Sequence, residues 1–330
     1  MHLLAAPDKF RGTATAPEVA AAMATAARET GWTCSELPLA DGGEGTVGAF
    51  GGPNRETVVT GPLGRPATAG WRLDGGRAVV EMATASGLQL AGGAAHNDPV
   101  AATTRGTGEL VAAALDAGAE RVLVGIGGSA TTDGGLGAVE VLTRYAPLDG
   151  RDGRPGVSVA CDVTTLFLDA AAVFAPQKGA DAARVALLRD RLEALANRYE
   201  DEFGVDVRNL PGSGGAGGLG GGLAALGARL VPGFRLIADA VGLADAVASA
   251  DLVVTGEGKL DAQSLTGKVV GGVAELAGPG RTAAVVGGRD DVDVPFPVVS
   301  LIEAYGRERA FTDTLGCVRD ATARLLAGRG

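Results

Sequence analysis

Residues 121–142 read Arg121-Val-Leu-Val-Gly-Ile-Gly-Gly-Ser-Ala-Thr-Thr-Asp-Gly-Gly-Leu-Gly-Ala-Val-Glu-Val-Leu142. An apolar run ends in a glycine-rich loop carrying hydroxyls, and a helical pattern follows. In an α/β protein, a strand, a loop and a helix start in this order gather backbone N–H groups around a phosphate. Gly127, Gly128, Ser129 and Thr131 are the candidate binding residues of the loop, and Asp133 adds a carboxylate. The alternative is a tight turn that happens to cap a helix. No Gly-x-x-x-x-Gly-Lys-Ser/Thr pattern occurs in the chain, so the loop is not of the Walker type.

The bulk composition narrows the class. At 330 residues the chain is long enough for two domains and a large core. Its 46% hydrophobic and 21% charged content is that of a soluble globular protein. The 54 glycines, more than twice the usual share, cluster at the ends of apolar runs and suggest tight loops approaching a ligand. A net charge of −10 argues against nucleic acid or an acidic membrane surface, so an anionic substrate must meet local cations or a divalent metal. Cys34, Cys161 and Cys317 are far apart and form no Cys-x-x-Cys pair, which fits a reducing cytoplasm better than disulfides or a thiolate zinc site. The start has no basic region and too short an apolar run for a signal peptide, and no 18-residue apolar span suggests a membrane crossing. With only His2 and His96 present, chemistry falls to carboxylates, Lys and Arg, hydroxyls and backbone donors.

Short apolar runs alternate with helical patterns, the signature of an α/β fold. Leu3–Ala6 and Cys34–Pro38 read as strands around an alanine-rich helix, Pro17–Arg28, with proline in its first turn. Thr57–Thr60, Ala67–Leu73 and Arg77–Met82 read as antiparallel strands joined by glycine turns. Helix 108–117, strand 122–125, helix 136–143, strand 157–160 and the long helix 182–203 follow, the last with Leu187, Leu188, Leu192, Leu195 and Tyr199 on one apolar face. Strands 252–255, 283–286 and 298–301, with helices 263–276 and 311–326, complete the chain. The expected fold is therefore two α/β domains. One has a flavodoxin/Rossmann-like parallel sheet built from the discontinuous segments 1–60 and 235–330, and a mixed-sheet α/β domain, 61–234, is inserted in it.

In open parallel sheets, ligands sit beyond the carboxyl ends of the strands. In the first domain those ends carry Asp8-Lys-Phe-Arg11, Asp41-Gly-Gly-Glu44, Gly256-Glu-Gly-Lys-Leu-Asp261 and Gly287-Gly-Arg-Asp290. Acids and bases collected at one end of a sheet point to an enzyme. Together with Leu39–Thr46, Thr60–Pro66, Val80–Leu88, Thr104–Glu109, Gly125–Gly135, Ala160–Val163, Val173–Ala180, Pro211–Gly218 and Ala250–Asp261, these stretches resemble the bacterial glycerate kinases of the glycerate 2-kinase type. The resemblance runs in order over about residues 1–290. It implies two α/β domains with the active site in the cleft between them, ATP and Mg²⁺ as cofactors, and D-glycerate as substrate. Two departures fall in the inserted domain, where 145–156 is shorter than usual in the family and 164–171 lacks the usual Asp-Asn and glycine loop.

Phosphoryl transfer needs positioning and charge neutralisation more than covalent chemistry. Lys9 and Arg11 are candidates to hold a carboxylate or phosphate, and Arg can do so bidentately. Asp41 and Glu44 suit Mg²⁺ binding, proton acceptance or, alternatively, helix capping. Asp41 or Asp133 is the expected base. Glu257 and Asp261, four apart in a glycine loop, fit either metal coordination or capping. With a strand order of 2-1-3-4-5, the Asp8 and Glu257 loops flank the topological switch point. Lys178 and Lys268 are candidates for ATP phosphates, with surface solvation the alternative, and His96 reads as a surface loop residue. Gly212–Gly217 formally matches a dinucleotide fingerprint with Asp239 downstream, but Asn209-Leu-Pro precedes it rather than a strand. Ser213 and Gly214 are then nucleotide-contacting or packing residues.

The expectation is a cytoplasmic, ATP- and Mg²⁺-dependent glycerate kinase making 2-phosphoglycerate, without nucleic-acid or membrane partners. A 3-phosphoglycerate product, a nicotinamide oxidoreductase and a non-catalytic glycerate or nucleotide sensor are the alternatives. The oligomeric state stays open, a homodimer being one option.

Overall fold

The computed structural model describes residues 1–328. Its strands are β1 (His2–Pro7), β2 (Thr33–Glu36), β3 (Arg55–Thr60), β4 (Pro66–Asp74), β5 (Arg77–Glu81) and β6 (Arg121–Gly125). They continue as β7 (Gly156–Ala160), β8 (Arg229–Val231), β9 (Leu252–Leu260), β10 (Thr282–Arg289) and β11 (Val298–Ser300). The chain forms two compact units, one of Met1–Asp41 with Phe234 onward, the other of Gly42–Gly233.

The first unit holds a five-stranded, all-parallel sheet in the order β11-β10-β9-β1-β2. Renumbered within the unit this is 2-1-3-4-5, the flavodoxin-like order, with its switch point between β1 and β9. The sequence accounts for the placement. Leu3–Ala6 and Leu252–Thr255 are fully buried, as strands covered on both faces must be, whereas Thr33–Glu36 alternates little and lies exposed at the edge. Helix Ala16–Glu29 begins in a capping box of Thr15 and Glu18 with proline in its first turn. Its Val19, Ala20, Met23 and Ala27 pack with Leu3, Leu252 and Val285. The expected helix 263–276 is shorter, Val269–Ala277, because Ala262–Leu265 is a 3₁₀ turn and Gly267 (φ +78°) breaks the run. The expected helix 311–326 is likewise divided at Asp313.

The second unit holds a mixed six-stranded sheet, β3-β4-β5-β6-β7-β8, antiparallel through β3, β4 and β5 and parallel from β5 to β8. The passage between units falls at Asp41 rather than near residue 60, since β3 pairs with β4 along its whole length and belongs to this sheet. Helix Ala182–Phe203 starts at the Asp181 cap and ends at Gly204 in the left-handed region. Leu188, Leu192, Ala196 and Tyr199 form its buried face, while Leu187 is 43% exposed and lies outside that face. Strand β8 and helix Leu219–Ala225 escape a reading by pattern: β8 is three residues long, and Leu-Gly-Gly-Gly-Leu is a poor helix former held by packing alone.

Candidate active site

In the first unit the charged residues converge where the strand order reverses. Asp8 follows β1 directly and is tied to β9 by its N–H, 2.8 Å from the Gly256 carbonyl. Its Oδ1 accepts the Lys9 N–H at 2.7 Å. The Lys9 ammonium stands between two carboxylates, 3.6 Å from Asp8 and 3.8 Å from Asp41. Asp41 is brought there by the segment after β2, whose Leu39 N–H bonds the Pro7 carbonyl at 2.9 Å. Burial pushes the Asp8 carboxyl up to about 6, with Asp41 pushing the same way and Lys9 opposing. Arg11 is exposed on the turn Phe10–Ala14, which closes through reciprocal Phe10 and Ala14 backbone bonds. Gly258 of β9 lies beneath that turn, where a Cβ would meet the Arg11 nitrogen at 3.0 Å.

Glu257, in the same strand, carries the one unpartnered buried carboxylate oxygen among the described residues, its Oε1. Burial pushes its carboxyl up to about 7, Asp8 adds to the rise, and Ser264 and Lys268 oppose it. Asp261 is engaged otherwise. Its Oδ1 caps the 3₁₀ turn Ala262–Leu265, accepting from Gln263 N at 2.8 Å and Ser264 N at 3.1 Å. Of the pair expected to hold a metal, Glu257 is thus open to a ligand and Asp261 is a cap. Lys268 sits at the start of helix Val269–Ala277.

The second unit assembles its own cluster at the carboxyl ends of β5, β6 and β7. Glu81, ending β5, accepts from Gly45 N at 3.1 Å and Val47 N at 2.5 Å and so caps the short helix Thr46–Ala49. Glu44, one residue earlier, is exposed. The Asp41-Gly-Gly-Glu44 stretch needs its glycines. A Cβ on Gly42 (φ +84°) would meet the Ala160 Cβ at 2.5 Å, and one on Gly127 would meet the Gly43 Cα at 2.5 Å.

The loop after β6 is built differently from the expected phosphate cradle. Asp133 takes up the donors of the following helix start itself, accepting from Gly135 N at 3.1 Å and Gly137 N at 3.4 Å, while Thr104 Oγ1 accepts from Ala138 N at 3.1 Å. Asp133, half-buried, is therefore engaged as a clasp on these donors. Burial pushes its carboxyl up, and hydrogen bonds from Thr104, Gly135 and Gly137 pull it back. Earlier in the loop the N–H groups of Gly127, Gly128 and Ser129 have no acceptor among the described residues, and Gly128 (φ +74°) is exposed. Such consecutive donors form an anion-binding concavity.

Lys178 is not a surface lysine. It is 3% exposed and lies beneath this loop, its ammonium 3.2 Å from Ser129 Oγ and 2.5 Å from the Thr131 carbonyl. Burial pulls it down to about 7, with Asp133 opposing the drop. The Gly212–Gly218 segment closes over the other side. A Cβ on Gly217 would meet the Thr131 carbonyl at 2.0 Å, and one on Gly214 the Leu166 carbonyl at 2.3 Å. Ser213 Oγ is buried without a partner. A turn through Leu210 and not a strand precedes Gly212, which removes the structural basis of the nicotinamide reading. His96 is exposed, its Nδ1 3.0 Å from the Gly92 carbonyl.

Glu81 and Thr104 were given no role from sequence alone. Glu81 could have been found by the criterion already used for the first unit, an acid ending an apolar strand. Thr104 carries no local signal, because its partner Asp133 is 29 residues away.

The architecture is thus that of an α/β protein with polar clusters on the carboxyl ends of its parallel strands. The family model described as "Glycerate kinase family" matches residues 3–154 and 144–296. A glycerate 2-kinase of Escherichia coli (strain K12) is 40% identical over 313 residues, covering 84% of this chain and 82% of the relative. A glycerate kinase of Bacillus subtilis (strain 168) is 42% identical with the same coverage. A crystal structure of a candidate glycerate kinase 2 from Salmonella typhimurium LT2 superimposes with a TM-score of 0.82 at 37% identity, covering 100% of this chain and 99% of that one. The chain belongs to the glycerate kinase family and is a kinase. No helix among the described residues is long and apolar enough to cross a membrane.

Proposed function

We propose that this chain transfers the γ-phosphoryl group of ATP to the 2-hydroxyl of D-glycerate, giving 2-phosphoglycerate and ADP in a reducing cytoplasm. The observation that carries the reading is the placement of Lys9 between Asp8 and Asp41 at the switch point of the parallel sheet, in a chain of this family. Asp41 takes the proton as the substrate hydroxyl oxygen bonds to phosphorus and the bond to the ADP oxygen breaks. Lys9 offsets the charge of the two carboxylates, and Arg11, exposed on the neighbouring turn, clamps the glycerate carboxylate. In the second unit the N–H groups of Gly127, Gly128 and Ser129 and the unpartnered Ser213 hydroxyl suit an anionic group, the Thr131 and Gly214 N–H groups being already donated to Ser129 Oγ and the Thr165 carbonyl. In the first, Lys268 lies beside Glu257 to meet a phosphate.

A divalent cation fits the acidic end of this set. Glu257 Oε1 is buried with no partner, and Asp8 is buried beside it, both with carboxyls raised by burial. Mg²⁺ is typically bound by one or two carboxylates together with substrate phosphates. Bound there, Mg²⁺ would neutralise phosphate charge. Glu257 and Asp8 would hold it.

The test is ³¹P NMR of the purified protein with D-glycerate, ATP and Mg²⁺. A 2-phosphoglycerate resonance growing with ADP is the expected result. A 3-phosphoglycerate resonance would keep the kinase and overturn the regiochemistry, and ligand binding without turnover would make the chain a sensor.

A further inference from the structure

Lys178 is the only lysine or arginine among the buried described residues. It follows Pro176 and Gln177 in a 3₁₀ turn ended by Gly179 (φ +97°), where a Cβ would meet the Ala94 carbonyl at 2.5 Å. Asn97 fixes this turn against the loop after β6, its Nδ2 donating to the Lys178 carbonyl at 2.9 Å and the Ala130 carbonyl at 3.0 Å. The Phe174 ring lies 6.0 Å from the ammonium. Asp133 is the charged group that faces it, and the nearby Tyr199 hydroxyl of helix Ala182–Phe203 is committed to the Gly134 carbonyl.

The hydrogen bonds of Ser129 show what the ammonium does. A hydroxyl has two acceptor directions and one proton. Ser129 Oγ accepts from the Lys178 ammonium and from the Thr131 N–H at 3.1 Å, so both acceptor directions are filled. Its own proton must then be donated. Thr131 Oγ1 is 3.1 Å away, Ser129 Oγ also reaches the Thr131 and Ala216 carbonyls at 3.3 Å each, and Thr131 Oγ1 reaches the Ala216 carbonyl at 3.5 Å. All of these acceptors lie beyond the usual ~2.7–2.8 Å of an O–H···O bond, so the Ser129 proton is weakly held, beside the N–H groups of Gly127, Gly128 and Ser129 that have no acceptor among the described residues. Without the ammonium, one acceptor direction of Ser129 Oγ would stand open, and the Thr131 hydroxyl would fill it by donating.

We propose that Lys178 is a positioning residue: its buried ammonium commits Ser129 to donate, so that the loop presents a full set of donors to an anionic oxygen of a substrate, carboxylate or phosphate. The inference rests on the kinase reading of the same site.

Steady-state kinetics of wild type, Lys178→Met, Ser129→Ala and the double variant, with D-glycerate, ATP and Mg²⁺, test it. Lys178→Met should fold as well as wild type and lose about 10–100-fold in kcat/KM, the usual effect of removing a residue that orients a ligating one. Ser129→Ala should lose as much, and the double variant no more than the worse single one. A rise confined to the KM for glycerate identifies the anion as a carboxylate, and one confined to the KM for ATP as a phosphate. Additive losses, or wild-type kinetics in Lys178→Met, would overturn the proposal. If Lys178→Met does not fold, the alkaline limb of kcat/KM decides: loss of the ammonium proton should depress wild type but leave Ser129→Ala unaffected, and equal limbs would overturn it. A wild-type protein that binds ATP or D-glycerate without turnover overturns the kinase reading alone, and the variants are then compared by calorimetric Kd. One that binds neither overturns both.

Discussion

Asp133 accepts the N–H and the hydroxyl of Thr104 through one oxygen, Oδ2, each at 2.8 Å. Thr104 Oγ1 in turn accepts from Ala138 N. Two helix starts, at Arg105 and at Leu136, are thereby fastened to one carboxylate, and their donors are satisfied from within the chain. Asp133→Asn turns an amide group toward donors that need an acceptor. It should lower the folding free energy by about 2–4 kcal/mol, the range for hydrogen bonds to a charged group together with the donors left unsatisfied. The denaturant midpoint measures this, and kcat of the folded variant should fall by no more than about tenfold. A stable Asp133→Asn protein with kcat down by about 10² or more, the signature of a lost general base, would return Asp133 to the chemistry.

Asp41 should behave in the opposite way. It is partly exposed at the end of the segment after β2 and faces the Lys9 ammonium. Asp41→Asn keeps the size and the hydrogen-bonding reach of the side chain but removes the proton acceptor, for an expected loss of about 10²–10⁴ in kcat with little change in the melting temperature. Turnover close to wild type would remove it from the reaction.

The contrast between these two aspartates marks what a sequence discloses. Both sit in Asp-Gly-Gly after an apolar run and look alike as text. Strand type and order follow from local pattern, which is why Leu3–Ala6 and Leu252–Thr255 are legible as central strands and why the acids at their ends are legible as a cluster. What Asp133 does depends on Thr104, and what Lys178 does depends on Ser129, 29 and 49 residues away. Such pairings are set by packing and leave no periodic trace. Glycines were misleading for the same reason: they signalled close approach correctly at Gly127, Gly214 and Gly217, but what approaches is another loop of the chain.

Glu257 offers a test with the metal as its variable. The carboxylate is buried, one oxygen lacks a partner, and Asp8 lies close enough to raise its pKa. Glu257→Gln should raise the Mg²⁺ concentration needed for half-maximal activity by about tenfold or more, while the melting temperature without nucleotide stays level or rises because a desolvated carboxylate is gone. An unchanged Mg²⁺ dependence would exclude Glu257 from the metal's ligands and leave its buried oxygen to some other donor.

Burial of Lys178 has a consequence for stability against pH that is independent of catalysis. The folded protein holds this group at about 7 against an ordinary value of 10.5. Between those limits the unfolded chain binds the proton and the folded one does not, so the folded state is favoured increasingly as pH rises through the window, by at most about 1.4 kcal/mol per pH unit. Below about pH 7 both states are protonated and the cost of the buried ammonium is fully present. Lys178→Met, close in volume and without charge, lacks that cost. Its unfolding free energy should therefore exceed that of wild type most at pH 6, and the gap should close steadily between pH 7 and 10. Urea unfolding of the two proteins at matched pH values measures the difference directly, with the other titrating groups cancelling. A gap that is constant with pH would mean that the ammonium is as well solvated by Ser129, Thr131 and Asp133 as it is in water, and that its proton is held in the folded protein as firmly as in the unfolded one.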